Sequence, residues 1–218
     1  RRNQGRVGAK NGPEAIRKQL SRLAFNHPPK RIIDIGNIRD VNQDMEKSQA
    51  ALSLVTEQLL TQNIFPIVLG GGHDVAYGHF TGIERAVQKR GINSIGIINF
   101  DAHFDLRPLK ELPNSGTPFY QILNEYENRT EYFALGIQSV SNSPELFKIA
   151  KEKGVKYLLN DICELTSIEE VKNQLNSFVQ QHDYLYLTID LDGFSSAYAP
   201  GVSAPSPVGF SPSFIFKV

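Results

Sequence analysis

Cysteine, net charge and long apolar runs are all scarce in this sequence, and each scarcity excludes something. The one cysteine, Cys163, lies in NDICEL with no second thiol in the chain. Neither an intrachain disulfide nor a multi-thiolate metal site can form, and a reducing, cytoplasmic setting is expected. Lys+Arg and Asp+Glu balance at 23 each, so no overall field draws in nucleic acid or an anionic membrane surface. No apolar run approaches the roughly 20 residues that span a bilayer. The opening RRNQGRVGAK also lacks the apolar core of a secretory signal. No nucleic-acid partner and no membrane partner are therefore expected. Internal repeats, low-complexity tracts and Gly/Ser linkers are missing too, so residues 1–218 are expected to form one domain. The chain opens without Met and stops at FSPSFIFKV just as a new apolar segment begins, so truncation at the C-terminus is also expected.

What is present alternates. Short runs rich in Ile, Val, Leu and Phe occur at 31–38, 64–72, 94–100, 131–137, 155–159 and 184–192. Their hydrophobicity is continuous rather than alternating, which predicts strands covered on both faces. Helical patterns lie between them, at 12–23 (with Pro13 at a first helical position), 42–62, 74–91, 143–154 and 166–181. This order predicts an α/β fold, a central and mostly parallel sheet between helical layers. In the second helix Leu52, Val55, Leu59 and Leu60 have helical spacing and are expected in the core. The Pro/Gly/Ser-rich stretch after the last strand is expected to be an ordered site loop.

Ligands of open α/β sheets bind beyond the carboxyl ends of the strands. Three predicted strands end on metal-type side chains: IVLGGGHD on His73 and Asp74, IINFDAHFD on Asp101, His103 and Asp105, and YLTIDLD on Asp190 and Asp192. Positions i and i+2 of an extended segment face one way, so Asp101, His103 and Asp105 can share a site, as can Asp190 and Asp192. Clustered carboxylates repel one another and resist burial unless a cation is present. Carboxylates and imidazoles without thiolate favour Mn, Mg, Fe or Zn, and this many carboxylates argue for two ions. Each motif alone is more often a turn or cap than a metal site; jointly, at three strand ends in a chain with five histidines, they favour metal. The glycine run forms neither G-x-G-x-x-G nor a P-loop, so nucleotide binding is not indicated. Cys163, His27, His79 and His182 read as packing or surface residues.

GGGHD, NFDAHFDLRP and DLDGFSSAYAPGVSAPSP, in that order along the chain, closely resemble the ureohydrolase (arginase/agmatinase) family. The resemblance implies a three-layer α/β/α arginase-like fold, a small-molecule amidine substrate, a homo-oligomer and two Mn2+ per chain. It makes His73, Asp101, Asp105 and Asp190 ligands of one ion, and Asp101, His103, Asp190 and Asp192 ligands of the other. A hydroxide bridging the ions would attack the amidine carbon, and Asp105 would pass a proton to the departing amine. Arg107 stands where arginase-like members carry a small polar residue, and Ser115 where they carry a histidine. An arginine suits a carboxylate-bearing substrate better than a guanidinium. Together with Ser115 and Gly116, it makes this chain most similar to the formimidoylglutamase branch, which hydrolyses N-formimidoyl-L-glutamate to L-glutamate and formamide. An agmatinase- or guanidino-acid-type enzyme releasing urea, and a metal-binding fragment impaired in catalysis, remain the alternatives. Arg107 as a structural ion pair, residues 115–117 as a plain turn capped by Thr117 or Ser115, and Arg6 as a surface residue are the non-functional readings.

Overall fold

The computed structural model describes residues 5–26, 31–39, 44–110 and 112–218. His27 lies outside them. Four strands, β1 (Ile95–Phe100), β2 (Thr130–Ile137), β3 (Lys156–Leu159) and β4 (Tyr184–Ile189), form one all-parallel sheet in the order β3-β2-β1-β4. The helices are α1 (Gly12–Leu20), α2 (Met45–Thr61), α3 (Val75–Gln88), α4 (Pro118–Glu125), α5 (Pro144–Glu152), α6 (Ile168–Val179) and α7 (Pro212–Lys217). Crossover helices α4, α5 and α6 join successive strands, as parallel pairing requires.

Side chains of β1 alternate between two cores. Ile95 and Ile97 pack with Phe80 and Ile83 of α3 and with Phe119 and Ile122 of α4. Ile98 and Phe100 pack on the opposite face with Val171, Leu175 and Phe178 of α6 and Phe214 of α7. The expected three layers are therefore present, and β1 is buried along its whole length.

Two of the six expected strands, 31–38 and 64–72, join no ladder. Both segments leave large side chains in water, with Ile32 at 75% and Phe65 at 81% exposure. The reason is pairing: β4 is bonded to β1 on one side only, and among the described residues no strand lies on its outer side to connect these segments to the sheet. A strand gains its stability from neighbours, so apolar content alone does not produce one. Segment 31–38 is held instead by polar contacts to α1, where Arg17 pairs with Asp34 at 2.7 Å and donates to the Gly36 carbonyl. β4 itself is half-covered. Tyr186 is buried under α3, while Leu187 on the other face is 57% exposed.

The core face of α2 also differs from expectation. Leu60 is buried, but Leu52, Val55 and Leu59 are only partly so, and the rest of the buried stripe is polar: Gln49, Ser53 and Thr56. The cause lies in α3, where Gly78 and Gly82 bring the two backbones together. A Cβ at Gly82 would stand 2.5 Å from the Ser53 carbonyl oxygen, and one at Gly78 would stand 2.8 Å from that of Gln49. Small residues on both helices are what such an approach demands.

Candidate metal centre

The six predicted ligands come together at the carboxyl ends of β1 and β4, but not by the extended geometry that the i, i+2 spacing suggested. After Asp101 the chain leaves β1 and turns; Asp105 has φ +48°, a left-handed conformation costly for a residue with a side chain. The flanking Phe104 and Leu106 are fully buried and hold it there. Asn142 clamps the same loop: its amide donates to the Ala102 and Gln138 carbonyls at 2.8 Å, while its Oδ1 accepts from the Phe104 N–H at 3.0 Å. On the other strand, Asp190 Oδ1 accepts from the Asp192 N–H at 3.0 Å, and a short 3-10 turn, Leu191–Gly193, carries Asp192 inward. His73 sits in the turn that opens α3 rather than at a strand end.

Two ligand groups result. His73, Asp101, Asp105 and Asp190 offer atoms within 4.8 Å of one another, as do Asp101, His103 and Asp192, so Asp101 belongs to both. His73 Nδ1 lies 3.1 Å from Asp101 Oδ2, 3.0 Å from Asp105 Oδ2 and 3.2 Å from Asp190 Oδ2. It is buried, yet it makes no well-directed hydrogen bond to any of them. His103 Nδ1 lies 3.5 Å from Asp101 and 3.2 Å from Asp192.

Charge balance strains this cluster. Burial and the Asp101 carboxylate push Asp105 up to about 6 against the pull of His73. Burial, opposed by His103 and reinforced by the Asp101 and Asp190 charges, takes Asp192 to about 7. His103 is driven down by burial but lifted further by hydrogen bonds to Asp101 and Asp192, reaching about 11. Burial likewise lowers His73, and the close carboxylates of Asp101, Asp105 and Asp190 overcome it and raise the ring well above its usual range. Without a cation the site must therefore hold protons. The orphaned Nδ1 facing three carboxylate oxygens, with no thiolate nearby, fits a hard or borderline divalent cation. Thr188 supports that fit, because its hydroxyl contacts His73 Nε2 at 3.0 Å. If Nε2 carries the ring proton, Nδ1 presents its lone pair to the ion.

The other predicted residues stand nearby. A Cβ on Gly72, beside His73, would lie 3.8 Å from the Ser115 Cβ. The Arg107 N–H donates to the Gly116 carbonyl at 2.9 Å, and the Arg107 side chain crosses Gly116 so closely that a Cβ there would lie 3.0–3.3 Å from its Cδ, Nε and Cζ. Thr117 is the N-cap of α4, but its hydroxyl serves the 114–117 turn, bonding both the N–H and the carbonyl of Asn114. Arg6 donates to the Pro200 carbonyl at 3.0 Å and ties the N-terminal segment to the 194–210 loop, which two β-bridges close on itself. Cys163 is 1% exposed, and burial pushes its thiol up to about 12. His182 is a packing residue bonded to the Phe178 carbonyl, and His79 packs edge-on against Tyr186. Among the described residues Asn99, Tyr132, Asn142 and Thr188 also serve the site. Of these, only Asn99 carried a signal, as an amide in an otherwise apolar strand.

A parallel α/β sheet with acid and imidazole ligands gathered at its strand ends defines the class, an α/β fold with a candidate metal centre. The chain belongs to the arginase family, whose model matches residues 1–218. It is 45% identical over 217 residues to a formimidoylglutamase of Lysinibacillus sphaericus, covering 99% of this chain and 66% of that one. A formimidoylglutamase of Geobacillus thermodenitrificans is also 45% identical, over 98% of this chain and 66% of its own. This chain thus spans just under two thirds of the length of those relatives. Among solved structures, formimidoylglutamase from Bacillus subtilis superposes with a TM-score of 0.87 at 26% identity, over 99% of this chain and 69% of that one. Trypanosoma cruzi formiminoglutamase with Mn2+ superposes at 0.84 and 26%, over 99% and 74%. The arginase-like α/β fold is therefore established.

Proposed function

We propose that the chain hydrolyses the formimidoyl C–N bond of N-formimidoyl-L-glutamate, giving L-glutamate and formamide, with two Mn2+ held by His73, Asp101, His103, Asp105, Asp190 and Asp192. The observation that carries this reading is the convergence of three carboxylates on the buried His73 Nδ1, beside a second Asp101-centred group. The names of the relatives, and the Mn2+ named with the Trypanosoma cruzi structure, support the substrate and the metal. Cytoplasmic residence is part of the proposal and is supported by the solitary, buried Cys163. Among the described residues no helix is long and apolar enough to cross a membrane.

Two divalent cations at these ligands would supply a nucleophile from water at neutral pH and Lewis-acid stabilisation of developing charge. The chain's own residues do the rest. In the balanced reaction, water adds across the formimidoyl carbon, the bond to the glutamate nitrogen breaks, and that nitrogen leaves as an amine with one more proton. Asp105, whose carboxyl oxygen reaches the centre of its ligand group, would take up a proton there and deliver it to that nitrogen. Arg107, stretched over Gly116, would pair with a substrate carboxylate, and Ser115 would bond its polar end.

Parallel assays of Mn2+-loaded protein with N-formimidoyl-L-glutamate and with agmatine or guanidino acids test this directly. Formamide and glutamate are the expected products, and urea alone would overturn the reading. Arg107→Ala should raise KM at least about tenfold with metal content unchanged; an unchanged KM removes Arg107 from the substrate site.

A further inference from the structure

We infer that Asn99 and Tyr132 are positioning residues for the shared carboxylate of Asp101, a buried hydrogen-bonded chain that aims it at both ligand groups. This rests on the metal-site reading above. Asn99 is fully buried in β1, where an aliphatic residue would serve the fold better, because a buried amide is costly unless it is bonded. Its Nδ2 donates to Asp101 Oδ2 at 3.1 Å and to the Tyr132 hydroxyl at 2.8 Å. The hydroxyl in turn donates to the Phe104 carbonyl at 3.1 Å.

The direction of this chain is fixed by chemistry. A carbonyl only accepts, so Tyr132 gives its one proton to Phe104, and Asn99 must present its NH2 rather than its oxygen. Asn99 Oδ1 is accordingly the atom left without a partner. Asp101 receives neutral donors on both oxygens, Asn99 on Oδ2 and the His103 N–H on Oδ1 at 2.8 Å. Such donors orient a carboxylate and favour its ionised form without bringing a positive charge that competes with a cation. The same hydroxyl grips the carbonyl just before Asp105, the residue held at positive φ. Tyr132 is itself fixed by stacking on Phe119 at 4.5 Å, and Phe119 meets the His73 ring edge-on at 5.3 Å. One buried chain thus touches Asp101, the backbone at Asp105 and the packing of His73.

Because Asp101 belongs to both groups, loosening it should weaken both ions together. Asn99→Leu and Tyr132→Phe are the variants, read by equilibrium titration with Mn2+ and by thermal unfolding of the metal-free protein. Asn99→Leu is expected to weaken both stepwise affinities about 10- to 100-fold, with metal-free Tm unchanged or higher. Tyr132→Phe should weaken both by a smaller factor and decides the matter if Asn99→Leu does not fold. Unchanged affinities, a loss confined to one ion, or a lowered metal-free Tm with affinity intact would each overturn the inference. Unsubstituted protein that takes up no Mn2+ would overturn the metal reading as well, so the two failures are distinguishable.

Discussion

In the proposed mechanism Asp105 combines metal ligand and proton carrier in one side chain. It offers an oxygen to His73 at 3.0 Å, occupies a left-handed backbone conformation, and has its carboxyl pushed up to about 6, chiefly by burial. Asp105→Asn keeps the shape and removes the transferable proton. At saturating Mn2+ turnover should fall about 10^2- to 10^4-fold with circular dichroism unchanged; a metallated, fully active variant would remove Asp105 from proton transfer. At this scale the sequence was informative about ligands and poor about their supports. The gathering of His73, Asp101, His103, Asp105, Asp190 and Asp192 was legible because three acid- and imidazole-bearing motifs follow predicted apolar runs, and the fold brings those runs' ends together. Asn142, Thr188 and Tyr132 were not, because the pairing of a side chain with a loop or strand distant in sequence leaves no local pattern.

At the scale of elements, the helix–helix contact and the two ligand loops each make a prediction. α2 and α3 approach closely because Gly82 faces Ser53 and Thr56. Gly82→Ala drives a methyl group against backbone and should cost about 1–3 kcal/mol, lowering Tm by roughly 2–10 °C. Gly201→Ala, with open space around it, is the control and should leave Tm unchanged. A Gly82→Ala Tm equal to the control would contradict the packing account. The loops carrying Asp105 and Asp192 hold protons near neutrality, with Asp105 at about 6, Asp192 at about 7 and His103 at about 11. All three values are raised, so a metal must displace protons, and its affinity should strengthen as pH rises through 5 to 8. Calorimetry in buffers of different ionisation heats should detect roughly two to three protons released per chain at pH 7, from His73, His103 and, in part, Asp192; no buffer dependence would contradict it. The strands around the site were legible from apolar runs covered on both faces, as in β1 and β2. Segments 31–38 and 64–72 have the same composition yet form no ladder, since composition is local and the presence of a pairing neighbour is not.

For the molecule as a whole, the sheet is a platform that delivers charged groups to a single end. Two cores, one under α3, α4 and α5 and the other under α6 and α7, fix β1 on both faces, and this rigid backbone holds the six candidate side chains in two overlapping groups. A metal bound there would in turn stabilise the fold, because an ion bound only by the folded state favours it. The central claim is that the two overlapping groups take up two interacting ions. Titration of metal-free protein with Mn2+, followed by electron paramagnetic resonance, tests it most directly. The account predicts saturation at two ions per chain with the spectrum of a spin-coupled pair, as the shared Asp101 requires. A single bound ion, or two with independent spectra, would contradict it.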